Sequence, residues 1–255
     1  NNVGMVTDYD NKFRNYGYLD FENYKVRVIY LNSTDLSDES VTTSCYMSAE
    51  QIEWLCDVAL NNLEEDWGVI ALTHHPLNWE GLMVNLQNIL NAFKGKASGS
   101  VTVGSTTINY DFSSVKAEFI AHFHGHLHNF RTSVYGSNGI VSVCIPNACF
   151  DRNNEYGTAS AYGETVKQAY GDVDENGNQR QFNKTRDTAN DTSFNVVVID
   201  RASKKIQLYC YGAGIDRELA YGEAESDSTE ILSITWHDDN RLSTSDGGLR
   251  AGATG

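Results

Sequence analysis

The chain has 255 residues, 40 % hydrophobic and 21 % charged, with a formal net charge of −15. This is the composition of a globular chain long enough to bury a sizeable core, and it excludes a disordered or fibrous protein. So acidic a surface repels nucleic acid, which argues against a basic-groove binder. It also repels an anionic substrate unless a bound cation reverses the local field.

In chain order, residues 25–32 (KVRVIYLN) alternate and are rich in β-formers, which predicts a strand. Ser48-Ala49-Glu50-Gln51 then matches a capping box, in which the Ser hydroxyl takes the third amide and Gln51 reaches back. Behind it Ile52, Leu55, Ala59 and Leu63 form one helical stripe. Residues 68–73 (GVIALT) read as a buried strand ending abruptly in His74-His75-Pro76. Residues 82–93 predict an amphipathic helix, and 95–107 a Gly/Ser/Thr-rich loop or weak hairpin. Residues 117–123 predict a strand that runs into His124-Gly125-His126-Leu127-His128, and 139–145 a further strand. Residues 150–191 are polar and poorly periodic, and read as a long surface excursion suited to a lid or partner contact. Residues 194–199 and 205–211 predict a hairpin. Residues 223–230 read as an acidic linker, and 231–236 as one more strand. The expected division is therefore a main domain over 1–222 and, over 223–255, a linker with the start of a further module. Alternating strands and helices followed by successive strands predict an α/β layered sandwich.

Of five cysteines none forms a CxxC pair, and Cys56, Cys144 and Cys210 sit inside apolar runs as small core residues. No disulfide framework is expected. That favours a cytoplasmic or virion-associated setting over a disulfide-dependent secreted one. No apolar run is long enough to span a bilayer, so no membrane partner is expected. The chain opens on Asn1-Asn2 and closes on Ala251-Gly252-Ala253-Thr254-Gly255, which suggests a piece of a longer protein.

Six of the seven histidines fall in two clusters, His74-His75 and His122 to His128, each at the end of an apolar strand. Neutral imidazole is the commonest transition-metal ligand, and loops carrying Pro or Gly let such side chains converge. A His-His pair alone is more often a surface or core feature; two clusters at two strand ends are a much stronger signal. His122 and His124 read as strand residues rather than ligands, and His237 as a solvated side chain. In an extended segment His126 and His128 point to the same side; if Gly125 allows a tight turn, the two rings can instead grip neighbouring ions, with no side chain at Gly125 to obstruct the approach.

Thr73-His74-His75-Pro76 and Gly125-His126-Leu127-His128 resemble the last two signature blocks of the calcineurin-like metallophosphoesterases. The order of elements is similar too: strand, Gln-containing helix (AEQIEWL), strand, His-x-Pro, helix, strand, Gly-His-x-His. The resemblance runs from about Lys25 to Tyr221, and residues 211–218 are similar to the closing strand of phage and prophage members. It implies an α/β/β/α sandwich and a dinuclear site for phosphoester hydrolysis. His74 and His126 would share one divalent ion, His128 would hold its neighbour, and His75 would stand behind the ligands. Mixed His and carboxylate ligation suits Mn, Fe, Zn or Ni. The family's Asp-x-His, Gly-Asp-x-x-Asp and Gly-Asn-His blocks are not found ahead of these histidines, and Gly171-Asp172-Val173-Asp174 follows them in the polar excursion. The expectation is thus a fold whose N-terminal part lies outside this chain, with little activity in the chain alone and no catalytic acid or base assigned. The alternatives are a non-catalytic binding module on the same fold, with phage-tail or surface partners, and a closed structural metal site.

Overall fold

A computed structural model describes residues 3–7, 15–35, 45–79, 83–127, 131–146, 165–173, 179–185, 193–212, 214, 216–222 and 234–236. For 3–7, 165–173, 179–185 and 234–236 the backbone alone is described. The fold is mixed α/β, and its residues group into two compact units, 1–126 with 133–143, and 127–132 with 144–255.

The first unit is built on a sheet of β1 (Val3–Thr7), β2 (Asn15–Phe21), β3 (Val26–Tyr30), β4 (Gly68–Thr73), β7 (Glu118–His124), β8 (Arg131–Tyr135) and β9 (Ile140–Cys144), in the order β1-β2-β3-β4-β7-β9-β8. β1, β2 and β3 are antiparallel; β3, β4 and β7 are parallel. Parallel neighbours need long crossovers. The first carries α1 (Ala49–Trp54), continued by a π-helical turn over Leu55–Ala59. The second carries α2 (Val84–Gly95) and a hairpin of β5 (Ser98–Val103) and β6 (Thr106–Asp111).

The predicted stripe packs as expected: Ile52, Leu55, Ala59 and Leu63 are buried with Ile29, Val69, Leu86, Ile89, Leu90 and Phe93 in one core. Leu63 lies past the end of the helix, which closes with the π turn at Ala59. The carbonyl of Ala59 accepts from Arg27 Nη1 (2.9 Å), whose Nε and Nη2 grip the two Asp20 oxygens at 2.7 Å each. This buried pair is satisfied on both sides, as burial of charge requires. Asp20 also hides β2 from a pattern reading, since it sets a charge where alternation expects an apolar residue.

Half of the capping box forms. Ser48 Oγ accepts from Gln51 N–H at 3.2 Å. Gln51 does not reach back: its Nε2 donates to the Asn32 carbonyl (2.9 Å) and to Asp35 Oδ2 (3.0 Å), while Asp35 Oδ2 also accepts from the Ser48 amide and hydroxyl. Asp35, 2 % exposed, replaces Gln51 as the capping partner and ties the helix start to the segment after β3. The 95–107 stretch is partly the β5–β6 hairpin, and β8 was not legible as a strand.

In the second unit, β10 (Thr165–Val173) pairs with β11 (Gln179–Thr185). These strands lie within the expected excursion; residues 150–164, 174–178 and 186–191 of it fall outside the described residues. β12 (Ser193–Asp200) and β13 (Lys205–Gly212) form the expected hairpin, its turn held by Asp200 accepting from the Ala202 and Ser203 amides. β14 (Arg217–Ala220) and β15 (Ile234–Trp236) complete that sheet, in the order β12-β13-β14-β15. The expected linker 223–230 lies outside the described residues. Cys56, Cys144 and Cys210 are buried free thiols, as expected, and so is Cys45. Among the described residues no helix is long and apolar enough to cross a membrane.

Candidate metal centre

β4 and β7 are in parallel register, with Thr73 opposite His124, so their C-terminal ends and the segment following β3 lie side by side. Crevices outside the C-terminal ends of parallel strands are where such sheets bind ligands. β4 ends in His74 and His75 here, and β7 runs into Gly125 and His126.

His74 Nε2 and His126 Nδ1 are 3.2 Å apart. The His75 ring lies 4.9 Å from that of His74 and 4.4 Å from that of His126, centroid to centroid. One ligand nitrogen from each of the three falls within 4.8 Å of the others. Two nitrogens bound to one ion at about 2.0–2.1 Å with a tetrahedral angle lie roughly 3.3 Å apart, so the His74–His126 spacing fits a shared ion. Without one, one ring donates to the other. Among the described residues no carboxylate joins this cluster.

The pair expected from sequence, His74 and His126, is thus brought together. His75, expected behind the ligands, offers a nitrogen to the same cluster. His128 and His237 lie outside the described residues. The left-handed residue of the second turn is His126 (φ 69°), not Gly125. A Cβ at Gly125 would meet His74 Nδ1 at 3.7 Å, an ordinary contact, so glycine is not demanded there. The Gly125 amide instead donates to the His74 carbonyl at 3.0 Å, which pins one turn to the other.

His75 is 3 % exposed, and its Nδ1 lies 2.8 Å from Ser33 Oγ, which also accepts from the His75 amide at 3.3 Å. That leaves Nε2 as the nitrogen His75 can offer. Burial, and then the neighbouring His126, His74 and His124, lower its pKa to about 4, so the ring is neutral and able to ligate at pH 7. Trp79 packs edge-on against His126 at 4.1 Å and lies 6.0 Å from His75. Its position follows from the turn in which its amide donates to the Pro76 carbonyl (3.1 Å).

His122 and His124 behave as strand residues: both are buried and their rings stack at 5.5 Å. His122 lies between Thr73 Oγ1 (2.7 Å) and Ser142 Oγ (2.8 Å). Ser33, Trp79 and Ser142 escaped the reading of the sequence, and Thr73 stood in the quoted block with no role. Isolated hydroxyls and an indole carry no pattern until the strand register brings them to the histidines. No protein-family model matches the chain, and no curated protein matches it.

Proposed function

We propose that the protein is a metal-dependent phosphoester hydrolase on an α/β/β/α sandwich, with its site at the His74–His75 and Gly125–His126 turns. The observation that carries this reading is the convergence of His74, His75 and His126. The two sequence blocks that resemble metallophosphoesterase signatures are the ones that meet there, on neighbouring parallel strands. A divalent ion at this place would supply Lewis-acid polarisation of a phosphoryl oxygen and acidify water. The chain's own residues do the holding. His75, neutral and fixed by Ser33, presents Nε2. His74 is exposed, so the cluster opens to solvent on its side. Trp79 shields the His126 ring. In the dinuclear form of this reading two ions, of Mn, Fe, Zn or Ni, occupy the site and His128 holds the second.

The test is hydrolysis of p-nitrophenyl phosphate and its bis-ester with added Mn or Zn, before and after chelation. The expected result is a chelator-sensitive rate from the protein expressed in its full reading frame, which His126→Ala largely removes and His237→Ala leaves in place, with little or none from residues 1–255 alone. A rate that survives both chelation and His126→Ala would overturn the reading.

A further inference from the structure

The buried face of β7 carries a group that the hydrolytic reading does not use. His122 is fully buried, and its two ring nitrogens meet Thr73 Oγ1 at 2.7 Å and Ser142 Oγ at 2.8 Å. Thr73 Oγ1 donates its one proton to the His75 carbonyl, at 2.6 Å. It must therefore accept from His122, which places the His122 proton on Nε2 and makes Nδ1 the acceptor of the Ser142 hydroxyl. Burial holds the His122 pKa well below its ordinary value, which agrees with a neutral ring carrying one proton. The hydrogen bonds then run in one direction, Ser142 to His122 to Thr73 to the His75 carbonyl. On the other side of the same residue, the His75 amide and ring are fixed by Ser33.

Resting on the metal-site reading above, and deepening it, we infer that His122 is a positioning residue: through Thr73 it orients the His74–His75 turn so that the imidazoles face a common ion. Partners behind metal ligands act in this way, by fixing ring orientation and tautomer. His122 itself is buried among Thr73, Ser142 and His124 and offers no nitrogen to the cluster. The Gly125 amide is bonded to the His74 carbonyl, so an error in the first turn passes to the second.

The experiment is Co(II) titration of the metal-stripped chain, followed by the visible band of tetrahedral Co(II), with thermal unfolding of each metal-free variant alongside. Gln carries its amide nitrogen to about the reach of Nε2, and Asn only to that of Nδ1. His122→Asn and Thr73→Val are expected to weaken Co(II) binding about 10–100-fold. His122→Gln and Thr73→Ser, which keep the bond to Thr73 or its hydroxyl, are expected to lose less than about tenfold. If His122→Asn does not fold, the near-isosteric Thr73→Val with Thr73→Ser decides by the same readout. Variants that lose thermal stability yet bind Co(II) like the parent would overturn the inference, as would His122→Gln binding no better than His122→Asn. The readout is binding rather than turnover, so Co(II) binding by the parent chain with hydrolysis of neither ester by the protein in its full reading frame overturns the phosphoester reading alone.

Discussion

Each turn is braced by the last side chain of its strand, Thr73 Oγ1 bonding the His75 carbonyl and His124 Nδ1 lying 2.9 Å from the Gly125 carbonyl. The turn after β4 is held in addition by Ser33 from the segment after β3 and by His122 behind Thr73, whereas the turn after β7 is tied to the first turn. The Gly125 amide bonds the His74 carbonyl, and the His126 ring packs against Trp79 and His75. The backbone cost differs as well: His126 sits at φ 69°, a region that costs a non-glycine residue about 1–2 kcal/mol. The first turn is the platform to which the Gly125 amide ties the second. Strain at a functional residue persists only where its surroundings over-determine it.

That asymmetry is broken most visibly by removing a ring from each turn. His75→Ala is expected to lower metal affinity by more than about 100-fold, beyond the range for partners behind the ligands, and to cost the metal-free chain roughly 2 kcal/mol. His126→Gly should lose metal as severely. Its stability should change by less than about 1 kcal/mol, because relief of the left-handed strain offsets the lost contact with Trp79. Urea denaturation of the metal-free variants, paired with metal titration, separates the two. Equal stability losses would remove the distinction between the platform and the turn tied to it.

A smaller effect sharpens the same comparison through pH. His122 is neutral in the fold and has an ordinary pKa near 6.5 when unfolded, so below about pH 6.5 the unfolded chain binds the extra proton. Its stabilising contribution is present above that pH and is lost as the pH falls. The limiting slope is about 1.4 kcal/mol per pH unit for one such group. His75, with its pKa lowered to about 4, acts with the same sign between about 4 and 6.5. Metal-free protein should therefore weaken between pH 6.5 and 5, and His122→Gln should weaken less. Identical pH profiles for the two would show that His122 titrates freely.

Much of the first unit was legible in the sequence for physical reasons. Residues 68–73 and 117–123 are apolar because parallel strands are covered on both faces, and His74 and His126 stand out by ending those runs. Ile52, Leu55 and Ala59 announce a helix whose π turn leaves no trace in composition. What stayed hidden depends on register. Asp20 looks wrong for a strand until Arg27 on β3 is opposite it. Gln51 fits a capping box until Asp35, brought in from the segment after β3, takes its place. His122 looks like one more strand residue until Ser142 on β9 and Thr73 on β4 flank it. Glycine drew attention at Gly125, but the backbone demand fell on the next residue.

The account's central claim is that His74, His75 and His126 hold an ion together, and X-ray absorption at the zinc edge tests it most directly. Metal-stripped protein reloaded with one equivalent of Zn(II) is expected to show imidazole nitrogens at about 2.0–2.1 Å, three of them from this cluster. One imidazole should be lost in each of His74→Ala, His75→Ala and His126→Ala. A zinc shell unchanged by all three substitutions, or no zinc retained by the parent chain, would contradict it.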